Sequence, residues 1–522
     1  MAATGSNYVT QHYDNARTGW NPHETILTVA NVPQLKQLFT QRVDGQTYAQ
    51  PLYMHNVAIP GQGTHNVVFV ATENDSVYAF DADTSDPVLW RRTLTPAGET
   101  PVSSSDVLCN NVFPVIGITS TPVIDPATAT MYVVATTKRV QAAQTTFHQY
   151  LYALDITTGR DRVGSPKEIQ ASAPGTGQRN DGMGHVLFLP QWQLNRPGLL
   201  LEHGRVYAAF GSHCDSHPPG YYHGWVLAYD AATLEQVAAF NTSPNSTQSA
   251  IWQGGMGLAT DPTGDIYFVT GNGAFTANQP GGKDYGDSVL KLGSDLKVLD
   301  FFTPADQDIL NRADKDLGSG GVLVLPDQPA GSTHHPHLLV TCGKDGRIFL
   351  LDRENLGKYN GPGGPDHVVQ TLPLQPASTG GEPGVWGGPA YYHGPDGQFV
   401  YYCGNHGHLT VFKLLNGLLS PATVGNGQPN QSAEILPGSG GATPTVSSNQ
   451  QTAGTAVVWV VARSIPLLQL QAYDATNLTV KLFDGEAGSW TNPGGRRPLI
   501  EPTVINGKVY VASDKQLSVF GL

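Results

Sequence analysis

The loop over residues 212–223 holds the densest group of potentially reactive side chains in the sequence. It contains three imidazoles, one thiol and one carboxylate: His213, His217, His223, Cys214 and Asp215. Imidazole and thiolate are the ligands that zinc and copper prefer in proteins. The spacing matches no established metal motif, and loop histidines often only form hydrogen bonds. The loop therefore predicts either a transition-metal site or a hydrogen-bonded loop.

An internal repeat predicts the elements that position this loop. A short apolar strand, in most copies ending at Asp, occurs eight times, at residues 77–81, 151–155, 226–230, 289–293, 348–352, 409–413, 470–474 and 517–521. A second apolar strand precedes each copy, a strand of smaller residues lies further upstream, and a fourth strand follows. Four antiparallel strands repeated in this way predict an all-β protein, an eight-bladed β-propeller over residues 1–522.

The two ends of the sequence fit a closed ring. The last repeat stops after its third strand, at Leu522, while an unmatched strand at about residues 35–43 precedes the first repeat. We expect this N-terminal strand to complete the last blade, because radial closure leaves no exposed sheet edge.

Composition narrows the functional classes. The chain has 522 residues with 60 Gly and 38 Pro, only 14% of its residues are charged, and its net charge is −13. Long helical bundles are excluded, and without a basic run a nucleic-acid partner is not expected. No apolar stretch is long enough for a membrane span. Residues 1–6 lack signal-peptide features, but low charge and scattered N-x-S/T sequons favour a secreted or periplasmic protein.

Propeller geometry places the candidate site on one face. Loops entering the innermost strands and loops joining second to third strands share that face, and here they are long and polar. Gln50, Arg196 and Glu501 each stand before a proline at the start of an innermost strand. Charges there are costly to bury unpaired, so we expect Arg196 and Glu501 to pair with each other or to bind a ligand. We predict that Gln50, at the matching place in the first blade, binds a cofactor together with them.

Several stretches resemble the quinoprotein alcohol dehydrogenases, and the resemblance covers nearly the whole chain. The family's repeat signature, A-x-D-x-x-T-G-x-x-x-W, is loosely matched at residues 79–90 and 153–159. More specific matches occur at residues 210–230, 250–255 with 270–273, 316–323 and 343–353. The resemblance implies an eight-bladed propeller that carries pyrroloquinoline quinone (PQQ) and Ca²⁺ on its loop face.

The resemblance also implies roles for individual residues. It makes Asp316 the catalytic base, Lys344 a contact of the quinone oxygens and Trp252 the floor beneath the quinone. Asp215, Asn272 and Asp316 would ligate calcium, with Asp215 standing where the family has Glu. Where the family has a vicinal pair of cysteines, this sequence has Cys109 alone, and whether Cys109 pairs with Cys214 stays open. As an alternative, the Asn-Gly and Lys-Asp-Gly stretches are ordinary turn formers.

We therefore expect a PQQ-type oxidoreductase that acts on an alcohol or sugar hydroxyl, with a small-molecule substrate. Two alternatives stay open. One is a metal-dependent lyase or isomerase that uses zinc or copper at His213, His217 and His223 without a quinone. The other is a non-catalytic propeller scaffold with no cofactor. The sequence does not determine the oligomeric state.

Overall fold

The computed structural model describes residues 5–142, 144–215, 221–329, 331–374, 383–491 and 500–522. Within these residues, eight antiparallel sheets contain four or more strands each. We number these sheets as blades 1 to 8 in the order in which they occur along the chain. The strands of each blade are given from the innermost strand outwards. His217 of the predicted histidine group lies outside the described residues.

The first four blades follow one another along the chain. Blade 1 consists of Leu52–Ile59, Gly63–Ala71, Ser76–Asp81 and Trp90–Thr93. Blade 2 consists of Val123–Asp125, Thr130–Gln141, Gln144–Asp155 and Lys167–Glu168. Blade 3 consists of Leu200–Glu202, Arg205–Ser212, Trp225–Asp230 and Gln236–Asn241. Blade 4 consists of Ala259–Thr260, Ile266–Val269, Val289–Leu292 and Val298–Phe302.

The last four blades continue the pattern. Blade 5 consists of Val322–Val324, Leu338–Cys342, Arg347–Asp352 and Gln370–Pro373. Blade 6 consists of Ala390–Gly394, Gly397–Cys403, Leu409–Leu415 and Leu418–Pro421. Blade 7 consists of Thr445–Ser447, Val457–Ser464, Leu467–Asp474 and Asn477–Ser489. Blade 8 consists of Thr503–Ile505, Lys508–Ala512, Gln516–Gly521 and Lys36–Arg42.

Shorter elements lie in the connections. The added strands are Trp20–Asn21, Glu99–Ser103, Val115–Ile116, Ser172–Pro174, His185–Leu187, Gln193–Leu194, Thr423–Val424 and Gln428–Pro429. The helical turns are Val32–Gln34, Gln253–Gly255, Gln307–Arg312, Leu317–Ser319 and Gly425–Gly427. No helix in the described parts of the chain is long and apolar enough to cross a membrane.

The blades form a ring because apolar clusters join each one to the next. Their central strands are apolar on both faces, as expected for sheets covered on both sides. Six clusters of buried residues join blades 2 and 3, 3 and 4, 4 and 5, 5 and 6, 6 and 7, and 7 and 8. A further cluster runs from blade 8 through blade 1 to blade 2, which closes the ring. The predicted propeller is confirmed.

The N-terminal strand closes the last blade as predicted. Lys36–Arg42 pairs antiparallel with Gln516–Gly521, with Lys36 opposite Gly521 and Arg42 opposite Gln516. The first and last parts of the chain thereby share one sheet.

The N-terminal part of the chain has a second feature, which the sequence did not predict. Residues 8–21, here called the channel segment, run around the inside of the ring and hydrogen-bond to the innermost strand of every blade in turn. The contacts, from blade 1 to blade 8, are Tyr8 with Tyr53, Val9 with Ile124, Asn15 with Leu201 and Thr260, Ala16 with Val324, Thr18 with Tyr391, Gly19 with Val446, and Asn21 with Val504. The segment therefore fills the channel at this level.

Candidate functional site

A cavity of about 280 Å³ lies at the loop face of the channel. Arg196, Trp252, Asp316 and Trp386 line it, and each belongs to the segment that enters the innermost strand of blade 3, 4, 5 or 6. The cavity is also lined by residues of loops that join second to third strands: Ser212, His213, Cys214, Asp215 and Lys344. Both kinds of loop therefore meet in one cavity.

Trp252 forms an aromatic part of the wall. It stands directly before the helical turn Gln253–Gly255, and its indole N–H donates to the carbonyl of Ser212 at 3.0 Å. This bond between blades 4 and 3 holds the indole in one orientation. A flat, rigid aromatic wall suits a planar ligand.

Asp316 is the most deeply buried acid in this cavity, with no exposed surface. One carboxylate oxygen, Oδ1, accepts the backbone N–H of Asn272 at 2.7 Å, and Oδ2 forms an ion pair with the ammonium of Lys344. The approach is close enough to require glycine at position 271. A Cβ there would lie 2.5 Å from Asp316 Oδ1 and 2.6 Å from the ring of Trp252. Blades 4 and 5 thus position the acid together.

Asp314 joins this group, although sequence reasoning did not select it. Its Oδ1 accepts from Lys344 Nζ at 2.8 Å and from the side-chain amide of Asn272 at 2.9 Å. Its backbone has a φ of +55°, a left-handed conformation that favours glycine. The signal available in the sequence was the alternation Asp314-Lys315-Asp316, which a search for paired carboxylates would have found.

The carboxylates of Asp215, Asp314 and Asp316 converge, with oxygens within 4.8 Å of one another. Among the described residues they form the one group of His, Cys, Asp or Glu side chains arranged so that it could hold a metal ion. The buried amide oxygen of Asn272 has no hydrogen-bond partner in the described part of the chain. Three carboxylates beside one ammonium leave a net negative charge, and oxygen ligands suit a hard cation.

The electrostatics of the group follow from burial and from these neighbours. Burial raises the pKa of Asp215 to about 6, and the charge of Asp316 adds to this effect. Burial also raises the pKa of Asp316, against the opposing influence of Lys344. Burial alone would lower the pKa of Lys344, but the carboxylates of Asp316 and Asp314 raise it above its usual range. Lys344 is therefore the fixed positive charge of the site.

A disulfide joins Cys109 to Cys214 across 105 residues of sequence. Cys214 lines the cavity and directly precedes Asp215, so the bridge ties the Asp215 loop to the insertion before blade 2. The side-chain amide of Asn111 strengthens this link by donating to the carbonyl of His213 at 3.0 Å. The sequence left open whether Cys109 pairs with Cys214, and the structure shows that the two cysteines are bonded.

The predicted histidine group is only partly assembled. His213 lines the cavity, burial lowers its pKa to about 3, and its Nε2 has no partner among the described residues. His223 does not line the cavity, because Nδ1 lies 3.0 Å from Ser243 Oγ and Nε2 lies 2.9 Å from the carbonyl of Gln178. Of the two described members, neither His213 nor His223 belongs to the convergent acidic group of Asp215, Asp314 and Asp316.

The three polar residues predicted at the innermost strands, Gln50, Arg196 and Glu501, do not all lie at the same cavity. Arg196 lines the cavity, where its guanidinium lies 5.3 Å from the centre of the Tyr48 ring and donates to the carbonyl of Gly254 at 3.3 Å. Gln50 and Glu501 are not among the residues that line the cavity and instead bind the channel segment. Gln50 accepts the backbone N–H of His12 at 2.9 Å, and Glu501 lies 3.0 Å from Nδ1 of the same histidine.

Comparison with known proteins identifies relatives of the fold. No protein-family model matches the chain, and no curated protein matches it. A europium-containing methanol dehydrogenase is similar over 99% of this chain and 98% of its own, with a TM-score of 0.60 and 15% identity. The quinohemoprotein alcohol dehydrogenase from Comamonas testosteroni is similar over 100% of this chain and 81% of its own, with a TM-score of 0.58 and 14% identity. BamB from Moraxella catarrhalis has a TM-score of 0.48 and 13% identity over 94% of this chain and 100% of its own. At these identities the first two likenesses show a shared fold.

Proposed function

We propose that this protein is a quinoprotein-type oxidoreductase that oxidises an alcohol or sugar hydroxyl at the loop-face cavity. The observation that carries the proposal is the convergence of Asp215, Asp314 and Asp316 around Lys344 beside the Trp252 ring. Two solved structures of the same fold are alcohol-oxidising dehydrogenases by name, which supports this class.

The residues present fit a hard cation. The unpartnered oxygen of Asn272 and the three carboxylates supply oxygen ligands, and a cation would offset charges that Lys344 alone does not neutralise. Calcium suits such a donor set, as does a trivalent lanthanide. Asp314 is the addition that the structure makes to the predicted ligands Asp215, Asn272 and Asp316.

The cavity also fits a planar anionic quinone such as PQQ. Trp252 offers a flat apolar surface, while Arg196 and Lys344 supply positive charge for carboxylates and quinone oxygens. Cys214, which is joined to Cys109 by a disulfide, lines the same cavity, and the resembled family has a vicinal disulfide against its quinone. A bound quinone supplies the acceptor for hydride from the substrate carbon.

The chain itself supplies binding and proton transfer. Asp316 would accept the substrate hydroxyl proton at Oδ2, for which its burial and raised pKa suit it. Lys344 would then stabilise the negative charge that develops on nearby oxygens. The aromatic side chains of Trp252 and Trp386 would exclude water from the reacting atoms.

The disulfide also supports the proposed location. Structural disulfides persist in oxidising compartments, which agrees with a secreted or periplasmic protein.

Reconstitution of the purified protein with PQQ and either Ca²⁺ or a lanthanide tests the proposal. We expect quinone absorbance to remain with the protein after gel filtration, and an artificial dye to be reduced when alcohols or sugars are added. The Asp316→Asn variant should retain the quinone and lose turnover, while the surface variant Asp308→Asn should match the wild type.

Other outcomes separate the alternatives. If the protein binds neither quinone nor cation, the proposal is wrong. The non-catalytic propeller scaffold is then the favoured alternative. Tightly bound zinc or copper that is lost on substitution of His213 would instead favour the metal-dependent lyase or isomerase.

A further inference from the structure

The channel segment holds residues 252–257, here called the Trp252 turn. Gln11 of the segment is 1% exposed, and its Oε1 accepts the backbone N–H of Gly257 at 2.9 Å. Its Nε2 donates to Glu501 Oε1 at 2.7 Å and to the sulfur of Met256 at 3.2 Å. The side chain therefore joins the entry of blade 8 to the end of the Trp252 turn, which leads into blade 4.

The Trp252 turn is a compact unit that is closed by its own hydrogen bonds. The backbone N–H of Gly255 donates to the carbonyl of Trp252 at 3.1 Å. The side-chain amide of Gln253 donates to the carbonyls of Met256 at 3.0 Å and Gly257 at 3.2 Å. Because the two ends of the turn are tied together in this way, a displacement of Gly257 is passed on to Trp252.

The backbone of the Trp252 turn is in a conformation that depends on outside support. Gln253 has a φ of +51°, and Gly254 and Gly255 follow with φ values of +61° and +102°. Three successive residues with positive φ are unfavourable, above all at a residue that carries a side chain. Such a conformation persists where surrounding contacts hold it in place. The hydrogen bond from Gly257 to Gln11 is one of these contacts, and it comes from the channel segment.

The indole ring of Trp252 has little room to absorb a shift of the turn. A Cβ at position 211 would lie 2.6 Å from the ring, and a Cβ at position 271 would lie equally close. The indole N–H also donates to the carbonyl of Ser212 at 3.0 Å. In packing this close, a small movement of the backbone must tilt the ring or break its hydrogen bond.

We propose that Gln11 is a positioning residue for the planar ligand of the loop-face cavity, and that it acts through Gly257 and the Trp252 turn on the indole ring. This inference rests on the proposed function, in which Trp252 offers the flat surface for the quinone. It gives the channel segment a role in ligand binding in addition to its role in joining the blades.

Gln50 provides a matched control in the same network. It is 4% exposed, and its Oε1 accepts the backbone N–H of His12 at 2.9 Å. Its Nε2 donates to the hydroxyl of Tyr8 at 3.0 Å and to the carbonyl of Pro502 at 3.2 Å. Gln50 is therefore a buried glutamine that binds the channel segment through several hydrogen bonds, but it does not contact the Trp252 turn and does not line the cavity.

Titration of PQQ into the full chain with Ca²⁺, followed by quenching of tryptophan fluorescence, tests the proposal. Gln11→Met should raise the Kd for PQQ about tenfold, because one stacked aromatic contact contributes on this order, whereas Gln50→Met should leave it unchanged. Thermal unfolding should show that both variants are folded at the titration temperature and lose similar stability. If Gln11→Met does not fold, Gln11→Asn, whose shorter amide cannot span Gly257 and Glu501, takes its place.

A second measurement reports on the ring without any quinone. Trp252→Phe should remove a band from the near-ultraviolet circular dichroism spectrum, because the indole is held in one orientation. Gln11→Met should weaken the same band, and Gln50→Met should retain it. A purely structural role of Gln11 would lower the stability without changing this band or the Kd.

Two results would overturn the inference. One is a Gln11→Met variant whose Kd and Trp252 band equal those of the wild type. The other is an equal loss of affinity in Gln11→Met and Gln50→Met, which would show that both glutamines act through the general stability of the channel segment. If the wild type binds no quinone, the proposed function is wrong, and the circular dichroism comparison alone decides whether Gln11 positions Trp252.

Discussion

The channel of this propeller buries charged groups at two levels, and the two are built in opposite ways. The channel group consists of His12 and Arg17 of the channel segment with Glu501. The cavity group consists of the buried or half-buried residues Asp215, Asp316, Asn272 and Lys344, with Asp314 at its exposed edge. Both groups contain ionisable side chains held by several blades.

The channel group satisfies its hydrogen-bonding capacity. Arg17 is fully buried, and its guanidinium donates to the carbonyls of Leu258 at 2.9 Å, Gln11 at 2.7 Å and Leu199 at 3.3 Å. Both ring nitrogens of His12 are bonded, to Glu501 at 3.0 Å and to the carbonyl of Pro389 at 2.8 Å. Such a network connects blades to one another and leaves no acceptor for a ligand.

The cavity group is unbalanced. Its three carboxylates face one ammonium, and the oxygen of Asn272 has no partner among the described residues. Burial of charge therefore does not by itself mark a functional site. The cavity group differs in having more carboxylates than cations, with Asp215 and Asp316 lining a cavity, and the cost of this imbalance is recovered only when a ligand binds.

The largest expected effect separates activity from stability at the cavity group. Asp316→Asn should lower kcat of the reconstituted enzyme on the order of 10² to 10⁴-fold, because proton acceptance is lost. Its free energy of unfolding should change little, since a like charge is removed from beside Asp215 and Asp314. Steady-state dye reduction and urea denaturation measure the two quantities. If Asp316→Asn unfolds much more readily than the wild type, the role of Asp316 is structural, like that of the channel group.

The converse is expected at the channel group. Arg17→Met should lower the free energy of unfolding by about 3 to 5 kcal/mol, because it leaves several buried carbonyls without a donor. Arg312→Met, at a side chain 68% exposed in a surface ion pair, is the matched control and should cost under about 1 kcal/mol. Chemical denaturation compares the two variants. Equal effects would remove the basis for calling the channel group structural.

The disulfide connects the cavity group to the fold. Replacing both Cys109 and Cys214 by Ser should lower the free energy of unfolding by about 2 to 4 kcal/mol, since the bridge closes a long loop. Reduction of the wild type should reproduce this loss and should not affect the double variant, because the remaining cysteines, Cys342 and Cys403, are unpaired. Denaturation with and without reductant provides the measurement.

The smallest expected effect is on the pH dependence of stability, and it concerns a third buried ionisable group, Glu73. Its pKa rises from an ordinary 4.5 to about 7, so the folded state holds a proton that the unfolded state releases between these pH values. The contribution of Glu73 to stability should therefore fall across this window, by about 3 kcal/mol at pH 8 relative to pH 4.

Glu73→Gln should be more stable than the wild type at pH 8, and the difference should shrink towards pH 4. Thermal unfolding of both proteins across the range gives the comparison. A variant that is less stable than the wild type at pH 8 would place Glu73 with the channel group.

Local sequence was enough for much of the fold and for part of the site. The resemblance to the quinoprotein alcohol dehydrogenases selected Trp252, Asp316 and Lys344, and the structure brings all three to one cavity. The repeat positions selected Gln50 and Glu501, which bond to the channel segment instead. The repeat predicts the position of a residue along the channel axis, but it does not predict which neighbouring residue its side chain contacts.

The eight apolar repeats, with turn residues between them, are sufficient to predict the ring, because few other arrangements cover both faces of each strand. In contrast, the bond between Cys109 and Cys214, the approach of Asp314 to Asp215 and the path of residues 8–21 inside the ring became visible only in the folded molecule. These outcomes depend on side chains far apart in sequence meeting within a few ångströms. Strand periodicity carries no information about such distances, which are set by how the blades pack around a common axis.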